Sequence, residues 1–149
     1  MRFEIPGKPF AKQRPRFSRA SGRTYTPAAT VSFERTVAQY AMDAEAPCLT
    51  GPVKLVVIAV FEPAKSWSKK KRAEHLWNPH LQKPDLDNCV KGVLDGLNRI
   101  AFADDSQVYE IECRKMWGEP AKTIVEVKRT SNEFQNRHRR TKTSSCNPT

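Results

Sequence analysis

Five aspartates fall within the run KPDLDNCVKGVLDGLNRIAFADDSQV, residues 83–108, at positions 85, 87, 95, 104 and 105, against three basic residues. Carboxylates gathered over so short a span repel one another unless a cation neutralises them. Asp85, Asp87 and the Asp104-Asp105 doublet offer oxygen donors alone, which suits a hard ion, Mg²⁺ or Mn²⁺ as an alternative. Such an ion can activate a water and stabilise the charge of phosphodiester cleavage. A lysine beside it can orient the water or offset the developing negative charge. The chemistry these donors could support is metal-dependent hydrolysis of a phosphodiester.

The elements around these residues set how they meet. Pro84 biases its neighbourhood toward extended structure, where residues i and i+2 project to one side, so Asp85 and Asp87 are paired. Val90, Val93, Leu94 and Leu97 mark the inner face of a helix over Asn88–Arg99. Asp87 then falls at the N-cap, with Lys91 one turn later and Asp95 one turn beyond that. The Asp104-Asp105 doublet lies in a turn before a strand and is expected to fold back to the same spot. Each position also has a structural use: Asp87 as a cap, Asp95 as a partner for Lys91, the doublet as a turn. His75, His80 and Cys89 suggest zinc only weakly, because their spacing matches no familiar site.

Elsewhere, Arg2–Ile5 reads as a strand ended by Pro6-Gly7. Phe33, Val37, Ala41 and Ala44 repeat at helical spacing between Thr30 and Ala46, after a start at Thr26-Pro27. Val53–Phe61 is β-branched and nearly continuous, which predicts a central strand covered on both faces. Gln107–Lys115 and Thr123–Arg129 read as two strands joined by a Gly118/Pro120 turn. The order β-α-β-α-β-β predicts one α+β domain, a mixed sheet with helices packed on it, over residues 1–129. Residues 130–149 form a basic polar tail with Arg137, Arg139, Arg140 and Lys142, expected to be disordered.

The charge balance names a partner. Lys and Arg total 26 against 16 Asp and Glu, a formal net charge of +10 in 149 residues. The basic residues cluster in KPFAKQRPRFSRASGR, with Lys8, Lys12, Arg14, Arg16, Arg19 and Arg23 interleaved by Phe10 and Phe17, and in KSWSKKKR, with Lys69, Lys70 and Lys71 beside Trp67. Pro9, Pro15 and Gly22 predict a loop for the first cluster. Basic segments with aromatics suit phosphate contacts and base stacking. No apolar run approaches the ~20 residues of a spanning helix, so no membrane partner is expected. The N-terminus lacks an apolar secretory region, and four cysteines in no framework spacing read as reduced thiols, which predicts a cytoplasmic protein.

PGKPFAKQRPRFSRASGRTYTP, KSWSKKKR and KPDLDNCVKGVLDGLNRIAFADDSQV together resemble the RusA family of Holliday junction resolvases, common in bacteria and their prophages, from about Phe3 to Val127. The resemblance implies a small homodimeric endodeoxyribonuclease that binds four-way junction DNA and nicks two opposed strands with Mg²⁺, in recombination and repair. It implies Asp85, Asp87 and Asp105 as metal ligands and Lys91 as the catalytic lysine. Asp95 matches a common position with no implied role, and Cys89 stands where an aliphatic residue is usual. A DNA-binding module without catalysis and a relaxed nuclease acting on flaps or branched DNA are the competing expectations.

Overall fold

Val53, Leu55, Val57, Ala59 and Phe61 alternate along the most apolar stretch of the chain, and all five are buried. In the computed structural model, which describes residues 1–45 and 47–130, they line one face of strand β4 (Val53–Phe61). β4 pairs in parallel with β5 (Val108–Trp117) and antiparallel with β6 (Lys122–Arg129), and β1 (Arg2–Pro6) closes the far edge beside β6. The strand order is β1-β6-β4-β5, a mixed sheet. A parallel pair needs a long crossover. Here it carries two helices, α2 (Lys69–His75) and α3 (Leu86–Leu97).

α1 (Ala28–Asp43) and α3 cover the sheet on the face of Val53, Leu55 and Val57. Val37 and Ala41 of α1 and Val90, Val93 and Leu97 of α3 pack there with Phe3, Ile5, Val125 and Val127. The two helices cross closely at Gly96, where a Cβ would lie 2.5 Å from that of Val37 and 2.8 Å from the Glu34 carbonyl. The opposite face of β4 is covered only in part: Val56 and Val60 are buried, while Lys54 and Ile58 are half-buried. The fold is the single small α+β domain expected, but the helices protect one face rather than two.

Other expectations are corrected by the same packing. β5 and β6 follow one another through the Gly118/Pro120 turn yet do not pair, because β4 lies between them. The most apolar strand thereby gains a neighbour on each side. The first basic cluster is a loop only as far as Pro15; Arg16–Ser18 (β2) and Arg23–Tyr25 (β3) then form an antiparallel hairpin. α2 was hidden in the KSWSKKKR run because it buries no residue and so has no apolar period. Instead Ser68 caps it by accepting the Lys71 amide at 3.2 Å, and Arg72 binds Glu119 and the carbonyls of Pro63 and Ala64. Cys48, Cys89 and Cys113 are free thiols. Residues 131–149 of the expected tail, Cys146 among them, lie outside the described residues.

Candidate active site

α3 begins at Leu86, two residues earlier than its apolar period suggests, so its N-cap is Asp85 rather than Asp87. The Asp85 side chain makes no capping hydrogen bond, which leaves its carboxylate facing outward. Asp87 sits in the first turn, and the positive end of the helix dipole favours both carboxylates there. Both side chains are more than half exposed. Lys83 Nζ donates to Asp85 Oδ1 at 2.6 Å, and this ammonium holds the Asp85 carboxyl below the usual carboxylate range. Lys91 Nζ lies 3.9 Å from Asp87 Oδ2, one helical turn away, as the spacing predicts.

The segment before this pair is held from behind. Lys115, on β5, donates to the carbonyls of Gln82 at 2.6 Å and Pro84 at 2.7 Å. In front of the pair runs the N-terminal basic loop. The Lys12 amide donates to the Asn88 carbonyl at 2.9 Å, the Gln13 amide to Thr30 Oγ1 at 3.3 Å, and Phe10 packs on Phe33. Loop and helix enclose an open cleft of about 290 Å³ lined by Lys12, Gln13, Arg14, Pro15, Asp85, Asp87, Asn88 and Lys91.

Lys12 points into this architecture rather than away from it. Its ammonium binds Asp95 and stands 3.5 Å from Glu34, and the Asp95 contact raises its pKa. Asp95 therefore pairs with Lys12 across the α1–α3 seam, not with Lys91. Among the described residues Arg14, Arg16, Arg19, Arg23, Lys69, Lys70 and Lys71 make no ion pair, and all are exposed. Lys71 lies 4.2 Å over the Trp67 ring. Phe17 and Tyr25 expose their rings on the β2–β3 hairpin. Cations and aromatic faces thus stand together where the two clusters put them.

The Asp104-Asp105 doublet does not fold back to Asp85. It follows the C-terminal end of α3, whose 12 residues span roughly 18 Å, while Asp85 caps the other end. Asp104 is absorbed by the turn: the Ser106 side chain and then the Ser106 amide, which donates at 2.8 Å, keep its carboxyl below the usual range. Gln107 completes a capping box and also binds the carbonyls of Leu49 and Gly51 at 3.0 Å each. Asp105 is exposed, and its side chain adds a smaller contribution to the lowering of Asp104. Among the described residues no three Asp, Glu, His or Cys side chains converge on one point. His80 is instead sandwiched between Phe61 and Trp117, at 4.2 and 4.3 Å between ring centroids, and burial lowers its pKa.

A small α+β domain that sets outward-facing carboxylates against exposed rings and cations unpaired among the described residues has the surface chemistry of a nucleic-acid-handling domain. The chain belongs to the RusA endodeoxyribonuclease family, whose model, described as "Endodeoxyribonuclease RusA", matches residues 6–128. It is also similar to "Uncharacterized protein YqaN" of Bacillus subtilis (strain 168), with 34% identity over 139 residues, 88% of this chain and 97% of that protein. The family is one of Holliday junction nucleases that depend on a metal. The donors of the cleft fit a hard divalent ion: two carboxylates carry the compensating charge, and waters commonly complete the shell of such an ion. Asp85 already accepts a cation, the Lys83 ammonium. No helix among the described residues is long and apolar enough to cross a membrane.

Proposed function

We propose that the protein is a Mg²⁺-dependent endonuclease that nicks four-way DNA junctions as a homodimer, serving recombination and repair in the cytoplasm, with Mn²⁺ able to replace Mg²⁺. The observation that carries this reading is the shared cleft: Asp85 and Asp87 face the loop of Lys12, Gln13, Arg14 and Pro15 across the start of α3. Asp85 and Asp87 would hold the ion, which supplies Lewis-acid stabilisation of the phosphate and acidification of the attacking water. Lys91, beside Asp87, offsets charge that builds on the phosphate oxygens. Arg14 and Arg16 at the mouth, and Arg19, Arg23 and Lys69–Lys71 farther out, hold the DNA backbone, while Phe17 and Tyr25 offer stacking faces. The leaving group is the 3′-oxygen, which departs as a hydroxyl.

Homodimerisation gives the distant Asp105 a role. β5 is an edge strand whose C-terminal part is covered by residues 77–80: the Trp77 and His80 amides donate to the Trp117 and Lys115 carbonyls at 2.8 and 3.1 Å. Over residues 110–114 no backbone partner lies on that side among the described residues, and Ile111 is 42% exposed there. An unpaired edge is a template for another strand. A second copy added antiparallel about a two-fold axis near Ile111 would bring the start of its β5, and so the partner's Asp105, toward the Lys115 end of the first copy and its Asp85. Each of the two sites would then draw acids from both chains.

The test is cleavage of a labelled synthetic four-way junction, with and without Mg²⁺, beside a flap and a linear duplex. Paired, Mg²⁺-dependent nicks in the junction alone are expected. Equal cutting of flap and duplex would identify a relaxed nuclease, and binding without any cutting would identify a module that only holds DNA.

A further inference from the structure

β5 carries a lysine where its pattern calls for an apolar residue. Cys113, Lys115 and Trp117 share the inward-facing phase of the strand, and their partners across the ladder are Val57, Ala59 and Phe61, all buried. Lys115 is half-buried in that stripe, where an ammonium is better held by acceptors than left unpaired beside apolar side chains. Lys115 stands opposite Ala59, the smallest of the three partners. The ammonium reaches the segment that leads into α3.

Lys115 makes three hydrogen bonds to that segment within five residues. Its carbonyl accepts the His80 amide at 3.1 Å, and its ammonium donates to the carbonyls of Gln82 and Pro84 at 2.6 and 2.7 Å. The segment belongs to no helix or strand, and Pro84 contributes no amide of its own. Besides Lys115, the backbone bonds at its downstream end are Cys89 to Asp85 at 3.4 Å and Lys12 to Asn88 at 2.9 Å.

We propose, resting on the nuclease reading above, that Lys115 is a positioning residue for the metal-binding pair: it clamps residues 80–84 to the sheet and so fixes the direction in which Asp85 and Asp87 present their carboxylates. The role differs from that of Lys91, which faces the cleft. Groups that orient metal ligands from behind commonly change metal affinity by about 10–100-fold when removed.

Lys115→Met keeps the apolar stem and removes both ammonium bonds. Three readouts on the full chain test it: Mn²⁺ affinity by calorimetry without DNA, hydrogen–deuterium exchange of the peptide covering residues 82–88, and junction binding in EDTA. We expect Mn²⁺ affinity to fall about tenfold or more, exchange across 82–88 to quicken, and junction binding in EDTA to stay within about twofold of wild type. Lys115→Arg, which restores charge and donors, should recover part of the affinity. Wild-type Mn²⁺ affinity and wild-type exchange in Lys115→Met would overturn the proposal. Should the Met variant not fold, Lys115→Gln decides on the same measurements. Junction cleavage by the wild type is measured alongside, so that a failed nuclease reading, no cleavage at all, is distinct from a failed role for Lys115.

Discussion

Asp85 and Asp87 are exposed, make no capping bond through Asp85, and sit where the helix N-terminus already stabilises a carboxylate. Little of the fold depends on their charge, so substitution separates catalysis from folding. In Asp85→Asn or Asp87→Asn, cleavage of a junction should fall at least about 100-fold, since losing about 3 kcal/mol of transition-state stabilisation gives that factor. Junction binding without metal should persist or tighten, because a negative charge facing phosphate is gone. Wild-type cutting rates in gel assays would remove these two from the site. The DD doublet divides in the same way. Asp104 anchors the turn through Ser106 and Gln107, so Asp104→Asn should lower the thermal midpoint and leave cleavage near normal. Its carboxyl is held below the usual range, so its stabilising effect is present at neutral pH and lost as pH falls through that lowered value. Asp105→Asn should keep the midpoint and lose cleavage, and a reversed pattern in paired melts and assays would exchange the two roles.

At the scale of elements, the legible parts were those with a strong period. β4 and the inner face of α3 announce themselves through Val53–Phe61 and Val90, Val93, Leu94 and Leu97, and burial follows that pattern closely. α2 carries no periodic signature because its hold on the domain comes from a capping serine, one arginine and the tilted contact of His75 with Trp67. The β2–β3 hairpin carries none either, because its six strand residues are short of apolar alternation and largely exposed. Lys115 left one sign, a cation on the buried phase of a strand. Which carboxylate meets Lys12 could not be seen either, since 83 residues separate it from Asp95. That pairing divides the basic loop into an anchor and free cations, and salt titration should resolve them. Arg14→Ala and Arg16→Ala should each reduce the slope of log K against log salt for junction binding by about 0.9. Lys12→Ala should change the slope less and instead lower the thermal midpoint, because its charge is already met by Asp95 and Glu34. Equal slope changes in all three variants would show that Lys12 leaves its partners for phosphate.

For the whole molecule, a net charge of +10 coexists with a run of acids, and on the proposed reading the two serve opposite needs, drawing a polyanion in and holding a cation beneath it. The unsolved part of that arrangement within one chain is Asp105, at the far end of α3 from Asp85. If the proposed two-fold dimer joins Asp85 of one copy to Asp105 of the other, inactive variants should complement. In a mixed dimer of Asp85→Asn and Asp105→Asn, one site carries both substitutions and the other carries neither. The mixture should therefore regain cutting at one site per dimer, seen as singly nicked junctions rather than fully resolved duplexes, while each variant alone stays inactive. With all three acids acting within one chain, each copy in the mixed dimer would carry one defective site and no cutting would return. Re-equilibrating the two variants together, then following nicks in each strand of an end-labelled junction, distinguishes the two arrangements. Silence from the mixture, with exchange of subunits verified by a mass-tagged copy, would place the complete site inside a single chain and leave the β5 edge without this function.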